Sequence, residues 1–120
     1  MKPIIFTVLL LVVSPPLFAS NYSFLKDSSP VANFTEEDTT LFWNTLNKAL
    51  DTLKDGEKVA WENTKSGNSG LVNPLKTYKQ GSLLCRDVRI VNRAKENISE
   101  SKYQFCKEND KWVLKQSLDQ

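Results

Sequence analysis

Histidine is absent from all 120 residues. That alone removes a Ser-His or Cys-His nucleophile system. Cysteine is nearly absent too, with only Cys85 and Cys106. Two thiols fall short of the three or four ligands of a zinc site, and their spacing is not the CxxC of a redox pair. Charge of one sign does not accumulate: 16 basic residues stand against 14 acidic ones. The chain therefore lacks the concentrated basic face that nucleic acid requires, and it has no like-charge run for a membrane surface. "GNSG", Gly67 to Gly70, lacks the GK[ST] ending of a phosphate loop. No internal repeat or long low-complexity segment occurs. Catalytic, metal-binding and nucleic-acid classes thus lose most of their chemistry, and no cofactor is implied.

What is present begins with an export signal. "MKPIIFTVLLLVVSPPLFAS" has Lys2, then an apolar run from Ile4 to Val13, then Pro15 and Pro16 ahead of Ala19. That is the order of a secretory signal peptide, residues 1–19. The run is much shorter than the roughly 20 residues needed to span a bilayer, so no integral span is expected after its removal. Cutting 19 of 120 residues leaves 101, enough for one small domain. Only Lys2 is lost among the charged residues, leaving 15 basic against 14 acidic. No cysteine lies near the cut to take a lipid anchor. In an exported chain the two cysteines read as one disulfide.

The mature chain divides into a polar, flexible lead-in over 20–34 and a domain over 35–118. "TEEDTTLFWNTLNKALDTLKDG" predicts a helix over about Glu36–Lys54. Thr35 can cap it, and Glu36, Glu37 and Asp38 meet the positive end of its dipole. Phe42, Leu46, Ala49, Leu50 and Leu53 fall on one face at the helical period, and Gly56 suits a left-handed stop. The period then changes to two. "VAWEN" alternates, "TKSGNSG" reads as a loop, and "LVNPLKTYK" is extended with Pro74 at an edge or bulge. "SLLCRDVRIVNR", "ISESKYQFCK" and "WVLK" follow. The prediction is an α+β domain: one N-terminal amphipathic helix packed on one face of an antiparallel sheet of about five short strands.

The cysteines allow a register to be derived. If Leu83–Arg93 and Ile98–Lys107 form a hairpin around "AKEN", pairing Arg93 with Ile98 sets Val88 opposite Tyr103 and Arg86 opposite Phe105. Cys85 then lies directly opposite Cys106, where Cα atoms about 4.5 Å apart permit a disulfide. Leu84, Val88, Ile90, Tyr103 and Phe105 share the face assigned to the helix. The disulfide shares the other face with Asp87, Arg89, Lys102 and Gln104.

These residues resemble the surface antigen domain of the Rickettsia-type seventeen-kilodalton surface antigen family. The pattern is a tryptophan strand with a following Asn, a Gly-bearing loop, a Cys-Arg strand, then a second Cys with a basic residue and a downstream Trp. Here it comprises Trp61, Asn63, Gly67, Gly70, Tyr78, Cys85, Arg86, Cys106, Lys107 and Trp112, within roughly Thr35 to Leu114. The resemblance implies a bacterial cell-envelope protein. Family members often carry a lipid-attachment cysteine and a glycine-rich segment before this domain; without them, a periplasmic or extracellular form is expected, associated with the outer membrane at most.

Paired carboxylates offer no catalytic alternative. Glu36, Glu37 and Asp38 are explained by helix capping, Glu108 and Asp110 by a turn, and Glu62 and Asp87 stand alone. The expected protein is a non-enzymatic, monomeric interaction module whose partner is an envelope protein or cell-wall component. The alternative is a small secreted or periplasmic inhibitor or effector that blocks a partner enzyme through "TKSGNSG". Candidate binding residues are Arg89 and Lys102 on the polar face, Gly67 and Asn68 in the loop, and Trp61 and Arg86. Trp61 alternates with Val59 and reads as core, and Arg86 as a cation covering Phe105 or pairing with a carboxylate. An exposed Trp61 or Trp43 beside the loop would favour the inhibitor. Intact-mass measurement of the exported protein should show residues 1–19 removed; a mass that retains them rejects the signal peptide.

Overall fold

The structure, a computed structural model, describes residues 30–119; the expected signal peptide and most of the lead-in lie outside them. One helix, α1 (Glu36–Thr52), precedes five strands: β1 (Val59–Asn63), β2 (Asn68–Gln80), β3 (Leu83–Ala94), β4 (Asn97–Glu108) and β5 (Lys111–Ser117). The strands form one antiparallel meander in the order β1-β2-β3-β4-β5. Each joins its sequence neighbour, so tight turns suffice and no crossover is needed. α1 covers one face of the sheet, as the sequence predicts. The central strands are longer than expected: β2 has 13 residues, β3 and β4 have 12 each.

α1 starts where the capping residues put it. The Thr35 hydroxyl accepts from the Asp38 amide at 3.1 Å, and the Asp38 carboxylate accepts from the Thr35 amide at 2.8 Å. This reciprocal capping box satisfies two of the first-turn donors. Phe42, Leu46, Ala49 and Leu50 are buried on one face, with Leu53 packed at its edge. Opposite them lie Trp61, Val72, Val88, Ile90, Tyr103 and Phe105. Fully burying side chains of this size contributes about 1.5–3 kcal/mol each, which makes this stripe the main stabilising surface.

The helix ends earlier than Lys54. Leu53 is its C-cap, in an extended conformation, and Gly56 takes its positive φ of 90° in the turn beyond rather than at the stop. The stretch expected to be flexible is ordered at its end: Pro30–Asn33 form a 3₁₀ turn, Pro30 is buried, and Val31 and Phe34 pack on the core. Phe34 meets Trp61 edge to face, with ring centroids 5.2 Å apart.

The β3–β4 register is the derived one: Arg93 pairs with Ile98, Val88 with Tyr103, Arg86 with Phe105, and Cys85 with Cys106. The hairpin turn is tighter than "AKEN", because Ala94 and Asn97 pair as well. Cys85 and Cys106 are joined, with Cα atoms 4.0 Å apart. The bridge lies on the face away from α1, as assigned, yet both cysteines are buried. Leu84, placed with the core by alternation, is 38% exposed. β3 carries it beyond the ring of side chains that α1 covers.

Pro74 marks a bulge: the β2–β3 register slips between Pro74 and Lys76. β1 has already ended its pairing at Val72, so the missing Pro74 amide costs β2 no bond to β1. "TKSGNSG" is only partly a loop. Only Thr64–Gly67 form the turn, and Asn68–Gly70 already belong to β2. Thiol labelling of the folded, untreated protein should find no reactive thiol, and Cys85→Ser should cost about 2–5 kcal/mol in thermal unfolding. Stoichiometric labelling would contradict the bridge.

Candidate functional site

Two kinds of polar cluster form in this fold, one holding α1 and one on the face that α1 leaves uncovered. The first kind accounts for most of the charged and amide groups that a catalytic reading would need.

At the start of α1, Asp38 is wholly buried. Its Oδ1 accepts from Asn63 Nδ2 and Ser66 Oγ, both at 2.7 Å. Its Oδ2 accepts from Asn68 Nδ2 at 2.7 Å and from the Thr35 amide at 2.8 Å. β1, the β1–β2 turn and β2 thus deliver three side chains to one carboxylate. Burial raises the carboxyl pKa, but these hydrogen bonds outweigh it and hold the group at about 2, below its ordinary 3.8.

At the other end of α1, Arg86 is 5% exposed. One guanidinium nitrogen donates to the carbonyls of Ala49 at 3.3 Å and Leu50 at 2.9 Å. The other donates to Asp55 Oδ1 at 2.9 Å, and Nε donates to Thr77 Oγ1 at 2.8 Å. Those carbonyls belong to the last turn of the helix, and that of Ala49 also accepts from the Leu53 amide at 3.0 Å. A cation there also meets the negative end of the helix dipole. The Asp55 carboxyl is lowered by its bonds from Thr77 and then from Arg86.

The uncovered face is built by the odd-numbered residues of β3 and their neighbours. Near the disulfide it has a polar lid. Tyr78 donates to Asp87 at 2.6 Å, and Gln104 Nε2 donates to Tyr78 Oη and Gln80 Oε1, both at 2.7 Å. Gln116 donates to Gln104 at 3.0 Å, and Lys76 sits 5.1 Å from the Tyr78 ring centroid. Burial, then the Asp87 bond, raises the Tyr78 phenol above its ordinary value. Under this lid Gln104 is 3% exposed, although no helix covers it.

Further along this face the surface opens. Arg89 pairs with Lys102 across β3 and β4 and donates to Glu100 at 3.0 Å. That bond raises the Arg89 pKa and lowers that of Glu100. Lys102 and Glu100 are exposed, Arg89 is half-buried, and Asn73 is aligned with Arg89 on β2.

The structure therefore separates the candidate binding residues. Arg89 and Lys102 lie together on an accessible face. Trp61 is 4% exposed and belongs to the core. Asn68 is 3% exposed and serves Asp38, so replacing it would cost stability. Arg86 pairs with a carboxylate, one of the two roles expected of it. Gly67 remains exposed, at a positive φ of 79° in the turn. Trp43 is half-buried and meets Phe42 edge to face. Asp38 as a shared acceptor was not legible; "DT…N…S.N" spreads its partners over 25–30 residues. Among the described residues, no three His, Cys, Asp or Glu side chains group so as to hold a metal ion, and no helix is long and apolar enough to cross a membrane.

Part of the chain is similar to curated proteins named 17 kDa surface antigen. The protein of Rickettsia amblyommatis is 39% identical over 57 residues, 47% of this chain and 37% of its own length. That of Rickettsia canadensis is 39% identical over 51 residues, 42% of this chain and 64% of its own. That of Rickettsia rickettsii is 40% identical over 53 residues, 43% of this chain and 33% of its own. The chain resembles the rickettsial 17 kDa surface antigens at the level of a domain. It spans between a third and two thirds of the length of these relatives. No family model and no solved structure matches it.

The Asp38 cluster should carry acid sensitivity. A carboxyl held at about 2 instead of 3.8 contributes roughly 2 kcal/mol when ionised. Because the folded pKa is the lower one, that contribution is full well above pH 3.8 and is lost as the pH falls through 2. Asp38→Asn should therefore lower thermal stability by about 2–4 kcal/mol at pH 7, since an amide also presents a donor to donors. At pH 2 the difference from wild type should shrink. An equal difference at both pH values would show that the carboxylate charge is not what the cluster uses.

Proposed function

We propose that this chain is an exported bacterial envelope protein whose domain is a non-enzymatic interaction module, displayed at or near the cell surface. The observation that carries the reading is the division of labour between the two sheet faces. Asp38, Asp55 and Arg86 are committed to holding the helix. The accessible polar groups are gathered around Arg89 and Lys102 on the opposite face, where the core does not need them. The printed name of the relatives, surface antigen, supports placement in the envelope. The partner is an envelope protein or a cell-wall component that lies against this face.

The inhibitor reading loses its support from geometry. Trp61 is buried rather than displayed beside the 64–67 turn, and the turn itself is tied to Asp38 through Ser66. An aromatic anchor of the kind that dominates tight interfaces is therefore not placed there.

Arg89→Ala and Lys102→Ala, compared with Val88→Ala, test the reading. The first two should change unfolding free energy by about 0.5 kcal/mol or less, as exposed ion pairs do, while reducing recovery of the partner from envelope extract. Val88→Ala should cost roughly 1–4 kcal/mol through lost packing and leave recovery by the folded fraction unchanged. Undiminished recovery with both surface variants together would remove this face from the proposal.

A further inference from the structure

Between the Asp38 and Arg86 clusters the core contains one polar row that the protein does not satisfy by itself. Trp61 of β1, Gly70 of β2 and Asn92 of β3 lie side by side on the helix-facing side of the sheet. Trp61 is 4% exposed and Asn92 is 2% exposed. Trp61 Nε1 and Asn92 Oδ1 are both buried without a hydrogen-bond partner.

Gly70 explains how the donor reaches across the strand. A Cβ built on Gly70 would lie 2.3 Å from Trp61 Nε1 and 2.8 Å from its Cε2. The N–H edge of the indole therefore lies over β2, in the place any other residue's side chain would fill. Asn92 is the next position in that row. A buried donor from β1 and a buried acceptor from β3 thus share one row across a glycine. Leaving each unmade costs about 1–3 kcal/mol, so a mediator that serves both is favoured.

We propose that this row is an internal hydration site: one water molecule accepts from Trp61 Nε1 and donates to Asn92 Oδ1. Ser99 lies opposite Asn92 on β4, in the same row. Two to four polar partners are what a buried water requires, and small domains carry about one per 27 residues. The ligand class is set by the chemistry. It must be small, neutral, and able to accept from an indole while donating to an amide oxygen. The site ties β1 to β3, two strands that do not pair with each other. It does so beside Phe34, which meets the Trp61 ring.

Water-selective NOE and ROE spectra of the folded, disulfide-bonded protein test this, with the Trp61 indole resonance assigned from the Trp61→Phe spectrum. The expected result is a cross-peak between the Trp61 indole proton and water, with the sign of a long-lived hydration. Asn92→Val removes the acceptor and should abolish the cross-peak and shift the indole proton upfield. Asn92→Ser keeps an oxygen in the row and should retain it. A wild-type spectrum without the cross-peak overturns the site, whether the indole proton is unbonded or bonds Asn92 directly. A cross-peak unchanged in Asn92→Val overturns the assigned partner. The wild-type measurement decides the proposal even if Asn92→Val does not fold.

Discussion

The fold depends on how two buried charges hold the ends of a single helix. A lone helix of 17 residues is marginal in water, and an apolar stripe fixes which face is buried but not where along the sheet it sits. Asp38 and Arg86 supply the missing constraint. The carboxylate sits at the positive end of the helix, where turn 64–67 and the paired ends of β1 and β2 meet it. The guanidinium rises from the middle of the sheet to the last carbonyls. Buried charges are costly unless their bonds are nearly complete, and here each makes four. That requirement makes the clusters selective: a helix shifted by one turn would leave both charges stranded.

This clamp changes how the pattern by which the sequence resembles the surface antigen family should be read. Trp61 is core and Asn63 donates to Asp38. Gly70 leaves room for the Trp61 indole, and Arg86 caps the helix. Tyr78 roofs the face that carries the disulfide. Trp112 donates to Asp51 at 2.7 Å, with Lys107 5.6 Å from its ring centroid. In this chain most of those residues make their contacts inside the domain, several of them with α1 and the turn that follows it. The pattern describes a scaffold, and accessible polar residues such as Arg89 and Lys102 lie outside it.

The legibility of the two faces differed for a physical reason. On β3 and β4, alternation and the cysteine pair point to the same register, and the fold has that register. On β2 the bulge between Pro74 and Lys76 resets the alternation. Thr77 therefore reaches Arg86 while Tyr78 turns to the other side. No count along the chain gives that, because one extra residue reverses every side chain after it. Gln104 was legible as a polar-face residue, but its burial depends on Tyr78, Gln80 and Gln116 arriving from β2 and β5.

The sequence by itself determined the elements and their order. It set the helix start through Thr35 and the first-turn acids, the strand alternation, the β3–β4 register, and the disulfide that follows from it. These are local or nearest-neighbour properties, set by caps, periodicity and short loops. Tertiary structure alone decided which polar residues became internal. Asp38 read as one of three capping acids and became the acceptor for four groups. Asn68 read as loop surface and became buried, and the sheet's polar face became half lid and half open surface. Burial of a polar side chain depends on partners brought from distant segments, and a linear sequence does not display that convergence.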